Sequence, residues 1–555
     1  MTPRDFAGLH YYASEWLQRT AEVIRTNVCV YGGTSAGVIA AIKIARLGKS
    51  VIVLQPGQHL GGLTTSGLGC TDYGKQHVIG GLARQFYRAV GRESGTAEEW
   101  HFAPSAAARA MNRMVADANV PVRFCQFIDT VEMSGGHITA VTMIGGLRVE
   151  AQLFIDASYE GDLLARAGVT FTVGRESNPT FGESLNGIQI GPAHQFSHPI
   201  DPYIVAGNPA SGLLPQIVNE DLSRRQGAGD QRVQAYCFRM CLTDDPALKV
   251  VWPKPAHFDP LQYVLATRWY NSASESLRDQ WRGDRPAKFD LLTHKTPGGF
   301  HKTDTNNHGP ISSDFIGANY RWPTADYATR EKIFQDHVNY QMGFYWHMAN
   351  APEIPSAYRH AYQRWGLPKD EFVDTGHWPH QLYIREARRM LGDYVLTEAD
   401  CRLQRTVTDA VGMGSYTMDS HNCSRFVKIE NGTARVLNDG DVQVPPAGPY
   451  PISYRSIVPK RGECTNLIVP VCLSASHIAF GSVRMEPVFM VLGESAAVAA
   501  VLAIDEQKPV QEIDIPKLRQ RLLADGQILT APEECPQRTA PEESKSAVPA
   551  TTPKR

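Results

Sequence analysis

The stretch NVCVYGGTSAGVIAAIKIARLGKSVIVLQPG, residues 27–57, decides the fold of this chain. A short apolar run leads into a turn at Gly32 and Gly33, apolar residues then recur at helical spacing, and a second apolar run, VIVL, follows. A buried strand, a tight turn, a helix and another strand make a βαβ unit. The stretch therefore predicts an α/β fold with a parallel sheet, of the kind that binds dinucleotides.

Two positions of this stretch depart from the dinucleotide fingerprint G-x-G-x-x-G. Gly32 and Gly37 take the first and third glycine positions, but Thr34 stands where the second glycine lets the backbone approach a pyrophosphate. We expect either that Gly33 makes this approach or that the hydroxyl of Thr34 adds a phosphate contact. Gln55 replaces the acidic residue that accepts the ribose hydroxyls, so these bonds lack the strength of a charged acceptor. The alternative is an α/β unit that binds no nucleotide.

A second glycine-rich stretch, PGQHLGGLTTSGLG, occupies residues 56–69. Its Gly61-Gly62 pair and the Thr/Ser/Gly run that follows suggest backbone N–H groups close to a cofactor longer than one adenosine. A flexible surface loop is the alternative. Further on, LFIDASYEGDLLARAGV predicts a strand that ends at Asp156 and a helix that begins near Asp162. Such a strand end can bring the chain back over the nucleotide site.

The composition limits the partners. The 555 residues include 55 basic and 57 acidic side chains, a formal charge of -2, which creates no field that attracts nucleic acid or anionic lipid. The N-terminus lacks a secretory signal pattern, and no apolar run is expected to span a bilayer. We therefore expect a cytoplasmic protein with no nucleic-acid or membrane partner. Ten scattered cysteines without a C-x-x-C pair predict reduced structural thiols, and no metal site is predicted.

The chain divides into five predicted segments. The middle of the chain carries most of the tryptophans without regular βα alternation, and the tail is too rich in Pro, Ser, Thr and charge to bury a core. The predicted segments are a helical lead-in at 1–26, the first part of the nucleotide-binding domain at 27–180, an inserted α+β substrate domain at 181–445, the second part of the nucleotide-binding domain at 446–528, and a disordered tail at 529–555. Within the second part, we expect a strand, a polar loop from Ser474 to Glu486 and a helix that starts near Pro487.

Several separated motifs keep their order along the chain, and together they resemble a known family. They are YGGTSAGVIAAI from Tyr31, LGGLTTSGLG from Leu60, FIDASYEGDLLARAGV from Phe154, GRES from Gly174, VQAYCFRMCLT from Val233, HQLYIREARRM from His380, DSHNCSRF from Asp419, and YRSIVPKRGECTNLIVPVCLSASHIAFGSVRMEPVFMVLGESAAVAA from Tyr454. They resemble the FAD-dependent oxidoreductases of the glutathione-reductase type over about residues 27 to 505. The resemblance implies a Rossmann-like FAD-binding domain, built from the N- and C-terminal segments, with the inserted domain between them.

Two departures from the resemblance concern the cofactor contacts. Relatives commonly carry Glu at the position of Gln55, and Ala157, Ser158 and Tyr159 replace an Ala-Thr-Gly turn that is usual in the wider superfamily. The residues expected to bind FAD are Gly32, Gly33, Thr34, Ser35, Ala36, Gly37, Gln55, Pro56, Gly61, Gly62, Leu63, Thr64, Ala157, Gly161, Gly481, Ser482 and Glu486. By resemblance, the C-terminal helix directs its positive N-terminus at the N1–C2=O side of the flavin. Gly493 and Ser495 would let it pack closely on the first helix.

Two histidines are candidates for the acid or base of a flavin reaction. His477 is the first candidate because it lies in the polar loop between a strand and a helix that face the cofactor. His421, which is flanked by Asp419 and Asn422, is the second. A structural histidine is the alternative for each.

Three arginines are candidates for binding a substrate carboxylate or polarising an oxyanion: Arg385, Arg455 and Arg484. Structural ion pairs are the alternative, and residues 385–389 could form one solvated face of a helix. His308 and Tyr383 are further candidates.

The predicted function is hydride transfer between flavin N5 and a small polar substrate, first of all a sugar-like or polyol-like one. Reduction of an unsaturated carboxylate would use the same site. An FAD-binding electron carrier and a carbohydrate-cleaving middle domain are alternatives from other classes. The electron acceptor, whether oxygen, a quinone or a partner protein, stays open, as does covalent attachment of the flavin through His59 or Cys70.

Overall fold

The computed structural model describes residue 6, residues 8–272 and residues 280–531. Up to residue 181 it contains, in chain order, β1 (Val23–Tyr31), α1 (Ser35–Arg46), β2 (Val51–Leu54), α2 (Gly81–Glu93), α3 (Pro104–Asp117), β3 (Val122–Arg123), β4 (Ile128–Ser134), β5 (His137–Met143), β6 (Arg148–Asp156), α4 (Asp162–Arg166), β7 (Phe171–Thr172) and α5 (Asn178–Phe181).

The middle of the chain has many short strands and one long helix. Its elements are β8 (Ile217–Val218), β9 (Met240–Thr243), β10 (Lys249–Val250), α6 (Val264–Tyr270), β11 (Trp281–Arg282), β12 (Arg285–Pro286), β13 (Phe289–Leu291), β14 (Lys302–Thr305), α7 (Tyr327–Asn350), α8 (Ser356–Arg364), β15 (Leu367–Pro368), β16 (Arg389–Met390), α9 (Glu398–Cys401), β17 (Ala410–Gly414), β18 (Met418–Ser420), β19 (Ser424–Glu430), β20 (Thr433–Asp439) and β21 (Val442–Val444). The C-terminal part adds β22 (Tyr450–Ser453), β23 (Leu467–Ile468), α10 (His477–Val483), α11 (Glu486–Glu506) and α12 (Ile515–Ala524).

A seven-stranded sheet joins the two ends of the chain. Its order is β3-β2-β1-β6-β5-β4, and β23 pairs in parallel with β6. β1 lies between β2 and β6 and is parallel to both. Val28 and Val30 of β1 pack into one apolar cluster, whereas Cys29 and Tyr31 pack into another. The C-terminal half of the central strand is therefore covered on both faces, which explains why residues 28–31 are all apolar.

Helix α11 packs closely on α1 at Gly493. A Cβ built on Gly493 would lie only 2.3 Å from the carbonyl oxygen of Ala36. The predicted role of Gly493 is confirmed, but Ser495 donates its hydroxyl hydrogen bond to the carbonyl of Val411 on β17. α11 is long and apolar enough to cross a bilayer, so the expectation that no such run exists was wrong. Since 94% of its apolar window is buried, it is a core helix here.

The middle of the chain has its own core, which packs around α7. Four tryptophans in it are at most 1% exposed: Trp269, Trp322, Trp365 and Trp378. The predicted irregular middle region therefore folds around aromatic side chains and not around a second parallel sheet.

Four local predictions need correction. Within the described part of residues 1–26, one short 3-10 turn covers Ser14–Trp16, and β1 begins at Val23 because residues 23–26 pair with β6. Residues 385–388 have no regular secondary structure, where a helix was considered, and the polar loop at 474–486 contains α10. The predicted disordered tail lies outside the described residues from 532 onward, and its first residue, Leu529, is buried.

Candidate functional site

A cavity of about 740 Å³ opens at the C-terminal ends of β1 and β2. Gly32, Thr34, Gln55, Gly62 and Ser158 line it, together with residues from the N-terminus and from residues 380–382. Ligands of doubly wound α/β folds bind at this edge of the sheet. The βαβ unit therefore places its glycine turn where the sequence predicted a nucleotide.

The glycine turn between β1 and α1 admits no side chains. Gly32 has φ of +96°, and a Cβ there would lie 2.6 Å from the backbone nitrogen of Ser158. A Cβ on Gly37 would lie 1.9 Å from the carbonyl oxygen of Gly32. Gly37 therefore takes the helix-packing role that the fingerprint assigns to its third glycine.

The hydroxyl of Thr34 forms its hydrogen bonds with other groups of the protein. It donates to the carbonyl of Ala157 at 2.7 Å and accepts from the N–H of Gly37 at 3.4 Å, so it caps α1. The N–H of Gly33 donates to Oε1 of Gln55 at 2.7 Å. The arrangement favours phosphate contacts through the N–H groups of the first turn of α1, which have no partner within the helix.

Tyr159 packs against the second glycine-rich stretch at Gly62 and Leu63. A Cβ on Gly62 would lie 2.2 Å from the Tyr159 hydroxyl, which accepts a hydrogen bond from the N–H of Leu63 at 2.9 Å. The same hydroxyl donates to Glu486 at 2.6 Å. The replacement of the usual turn by Ala157-Ser158-Tyr159 thus supplies a side chain that joins three parts of the site.

Glu486 contacts all three segments that surround the nucleotide site: the first turn of α1, the second glycine-rich stretch and the turn after β6. Its carboxylate accepts hydrogen bonds from Ser35 at 2.5 Å, Thr64 at 2.8 Å and Tyr159. Burial raises the pKa of Glu486, and the three hydroxyl donors act against this increase. The first residue of α11 therefore contacts the first turn of α1, and the C-terminal part of the chain folds back onto the nucleotide site.

A group of arginines surrounds the ring of Tyr383. The guanidinium carbon lies 4.5 Å from the ring centroid for Arg385, 5.7 Å for Arg484 and 5.9 Å for Arg239. Arg484 also donates to the Tyr383 hydroxyl at 2.7 Å. The ring itself packs with Leu63, the residue that follows the glycine pair. The arginine group is therefore continuous with the wall of the nucleotide site.

His421 lies beside this arginine group, between two carboxylates. Its Nδ1 donates to Asp314 at 2.8 Å, and its Nε2 lies 3.6 Å from Asp419. Arg385 forms an ion pair with Asp314 at 2.9 Å. Burial would raise the pKa of Asp314, but the positive charge of Arg385 and the contact with His421 lower it well below its usual range. The carboxylate therefore stays ionised and fixes the ring.

His477 is held on both ring nitrogens. Nδ1 lies 2.8 Å from Glu386, and Nε2 lies 3.0 Å from the hydroxyl of Ser420. Its position at the start of α10 follows from the capping residue Ser476, whose side chain accepts from the N–H of Ala479. Because Ser420 precedes His421, the two candidate histidines belong to one hydrogen-bonded unit.

Three buried nitrogens in this region have no hydrogen-bond partner among the described residues. They are Nε of Arg385, Nε of Arg484 and Nε2 of Gln234. Gln234 and Arg484 already contact each other, since Oε1 of Gln234 accepts from Arg484 at 3.3 Å. Unpaired buried donors are costly, so these three nitrogens are candidates to pair with an acceptor of a bound ligand.

Comparison with known proteins identifies the family of this chain. The model of the FAD dependent oxidoreductase family matches residues 27–522. The chain belongs to the FAD-dependent oxidoreductase family. A comparison with curated proteins found no match.

Solved structures resemble parts of this FAD-dependent oxidoreductase. They include the flavin-dependent brominase Bmp2 (16% identity over 27% of this chain and 42% of that chain, TM-score 0.23), L-amino acid deaminase from Proteus vulgaris (14%, 29% and 55%, TM-score 0.22) and L-proline dehydrogenase from P. horikoshii (13%, 28% and 59%, TM-score 0.23). The matched part is less than two thirds of each of these proteins.

The residues of the cavity fit FAD. Gly32 and Gly62 line it at positive φ, and Gln55 lines it at the end of β2, where the fingerprint places the ribose. The loop from Gly61 leads from this cavity to Leu63 and the ring of Tyr383. When bound, FAD would be held by the glycine turn at its nucleotide half and by this loop towards its flavin half.

Some predicted site residues of the FAD-dependent oxidoreductase lie elsewhere. Arg455 is half-exposed, pairs with Asp409 at 3.0 Å and lines a separate cavity. Gly481 packs against the backbone of Asp419, and Ser482 donates to the carbonyl of Tyr416. None of these residues lines the nucleotide cavity.

The remaining predicted residues take varied positions. Pro56 and His59 line the cavity, and Gly161 adopts φ of +67° before α4. Burial raises the pKa of the Cys70 thiol, which disfavours its thiolate. His308 lines a smaller cavity of about 300 Å³ in the middle region. The nine cysteines within the described residues are unpaired, and those residues contain no cluster of three metal-ligating side chains.

Arg239, Asp314 and Gln234 were missed by the sequence analysis. Arg239 and Gln234 lie in the motif VQAYCFRMCLT, which was noted for the resemblance alone. A polar residue within an apolar motif is a usable signal, because charged side chains are rarely buried without a partner or a ligand. Asp314 carries no comparable local signal.

Proposed function

We propose that the protein transfers a hydride between FAD and a small polar substrate, with His421 as the acid/base group. The observation that carries the proposal is the pairing of His421 with ionised Asp314 beside the three guanidiniums around Tyr383. Bound FAD supplies a two-electron acceptor for the hydride. The oxidised substrate loses one hydride from carbon and one proton from its hydroxyl, and the proton goes to Nε2 of His421.

The division of roles follows from the contacts of each histidine. Nε2 of His421 lies 3.6 Å from Asp419, beyond hydrogen-bonding distance, so we assign this ring nitrogen to the substrate hydroxyl. Both nitrogens of His477 are engaged by Glu386 and Ser420. His477 therefore acts as a positioning residue for the strand end that carries His421.

Two arginines, Arg385 and Arg484, support a substrate that carries a negative charge, beside the ion pairs that they form with Asp314 and Asp419. Arg385 and Arg484 each keep one buried nitrogen free, and a guanidinium suits a carboxylate. We propose a hydroxylated carboxylic acid, such as a sugar acid, as the substrate class. A sugar acid combines two expectations from the sequence: a sugar-like substrate and a carboxylate bound by arginines.

Reduction of an unsaturated carboxylate is the second candidate function, because the same arginines would hold its acid group. In that direction His421 donates the proton and the hydride moves to carbon.

We also infer the finer architecture. The arrangement of the glutathione-reductase type, with the FAD domain formed by residues 27–180 and 446–528 and a substrate domain at 181–445, is supported by the pairing of β23 with β6. A cytoplasmic location is part of the same proposal.

An anaerobic test of flavin absorbance addresses the proposal. The purified FAD-loaded protein is mixed with sugar acids, the matched neutral sugars and polyols, and we expect bleaching by sugar acids alone. Protein reduced with dithionite is mixed with enoates, and reoxidation there would favour the second function. His421→Gln should slow bleaching about a hundredfold or more. The exposed His360→Gln is the matched control. Equal bleaching by neutral polyols, or full activity of His421→Gln, would contradict the proposal.

A further inference from the structure

The N-terminal segment, residues 8–16, forms part of the lining of the nucleotide cavity. Gly8, His10, Tyr11 and Trp16 line the cavity together with Gly32 of the glycine turn. A Cβ on Gly8 would lie 2.3 Å from the carbonyl oxygen of Asp374, so the segment touches the middle region closely there. This segment precedes the first strand and lies outside the residues 27–522 that the family model matches.

One carboxylate anchors the segment to helix α7. Glu331 accepts hydrogen bonds from Nδ1 of His10 at 2.7 Å and from the N–H groups of Tyr11 at 2.8 Å and Tyr12 at 2.9 Å. Gln335, one turn further along α7, donates to Glu331 and to the carbonyl of residue 9, each at 2.8 Å. Two consecutive backbone N–H groups on one carboxylate fix the path of the chain at this point.

Aromatic packing holds the same stretch from the other side. The ring of Tyr11 meets Trp322 edge to face at 4.8 Å, and Tyr12 meets Phe127 at 4.9 Å. Arg330 donates to the Tyr11 hydroxyl at 3.1 Å and pairs with Asp162 at the start of α4. The segment is therefore tied to both the middle region and the FAD-binding part.

We infer that residues 8–16 form the outer wall of the FAD nucleotide site, and that Glu331 holds this wall in place. Gln55, at the end of β2, marks the ribose position of the fingerprint, and it lines the same cavity as Trp16. An indole offers the kind of surface on which a purine packs. An amide at residue 55 binds the ribose without a charge, so enclosure by the segment contributes to retention of the nucleotide. The inference concerns the cofactor and does not depend on the proposed substrate.

The rate of FAD release tests the wall. FAD-loaded full-length protein is diluted, and the rise in fluorescence of free flavin is followed for the wild type and Glu331→Gln. The amide keeps the size of the side chain but loses the charge that orders His10, so release should become at least about tenfold faster. Glu15→Gln is the matched control for loss of a nearby negative charge. That carboxylate also raises the pKa of His10, but it accepts no hydrogen bond from the backbone of the segment among the described residues, only one from the Ser14 hydroxyl at 3.4 Å. Its release rate should stay within about twofold of the wild type.

A second variant separates the wall from its anchor. Trp16 is partly exposed, so Trp16→Ala preserves the fold even if Glu331→Gln does not. It should also speed FAD release, while the thermal unfolding midpoint without FAD stays that of the wild type. Release rates of both variants within about twofold of the wild type would overturn the inference. Unchanged release from Trp16→Ala alone would also overturn it, because the wall would then make no contact that matters to the nucleotide.

Discussion

The hydroxyl of Ser35 donates a hydrogen bond of 2.5 Å to Glu486, which lies 451 residues further along the chain. Ser35 begins α1 and Glu486 begins α11. One carboxylate therefore stands at the N-termini of two helices, whose positive ends both stabilise a negative group. The contact fixes the two ends of the chain to each other beside the nucleotide cavity.

Replacing Glu486 with alanine should destabilise the protein by about 3 kcal/mol, because three buried hydroxyls lose their shared acceptor. Chemical denaturation of the FAD-free protein measures the change. Glu506→Ala, at the opposite end of α11, is the control, since its exposed pairs with lysines contribute little. Equal losses of unfolding free energy in Glu486→Ala and Glu506→Ala would contradict a stabilising role for the contacts at the N-terminus of α11.

Replacing Gly493 with alanine should separate α11 from α1. The new Cβ would meet the carbonyl oxygen of Ala36 at 2.3 Å, and overpacking of this kind costs about 1–3 kcal/mol. The unfolding midpoint and the affinity for FAD should both fall. Gly462→Ala is matched in chemistry but has open space around its Cβ, so it should change neither quantity. A Gly493→Ala protein as stable as the wild type would contradict the close packing.

Asp156 should make stability depend on pH. Burial raises its pKa to about 6, against the hydrogen bonds from Ser158 and Leu164. The folded state then keeps a proton that the unfolded state releases near pH 4, so this stabilisation is full below about pH 4 and is lost as the pH rises through 6. Relative to Asp156→Asn, the wild type should lose up to about 3 kcal/mol between pH 4 and 7.

Urea unfolding at several pH values measures this difference. Asp129→Asn, on the exposed part of β4, serves as the control for replacing a surface carboxylate with an amide. A pH-independent difference between Asp156→Asn and the wild type would exclude a raised pKa at Asp156.

Restoring an acid at residue 55 should strengthen FAD binding. Gln55 already accepts from the N–H of Gly33 at 2.7 Å, and a carboxylate would keep this bond while adding a charged acceptor for the ribose. We expect Gln55→Glu to lower the dissociation constant of FAD about tenfold. Fluorescence titration measures it, with the exposed Gln404→Glu as a control for the added charge. Weaker binding by Gln55→Glu would mean that the amide makes a contact that a carboxylate cannot.

The local parts of the fold could be read from the sequence, and the distant contacts could not. The βαβ unit and its glycine turn follow from residues that are close in sequence. Residues 385–389 were considered as a helix face, but Arg385, Arg388 and Arg389 are buried and lie outside any helix. Their charges are balanced by acids from other segments, among them Asp162 and Glu176. Periodicity carries no information about such pairs.

In the candidate site, too, the sequence predicted the residue types but not the contacts between distant segments. His421, Arg385 and Arg484 were identified by residue type, and the fold brings them together around Tyr383. Arg455 has the same chemistry in a similar motif but lies on another face of the protein. Only the path of the chain distinguishes Arg455 from the arginines around Tyr383, because the residue type does not reveal where in the fold an arginine lies.

The late position of β23 has a consequence for biosynthesis. A nascent polypeptide that has not yet reached Leu467 lacks both the strand that pairs with β6 and the carboxylate that joins the two helices. The contacts that join the two ends of the chain can therefore form only after most of the polypeptide has been synthesised. We expect a polypeptide truncated before Leu467 to retain no FAD and so to be colourless, because it lacks both contacts.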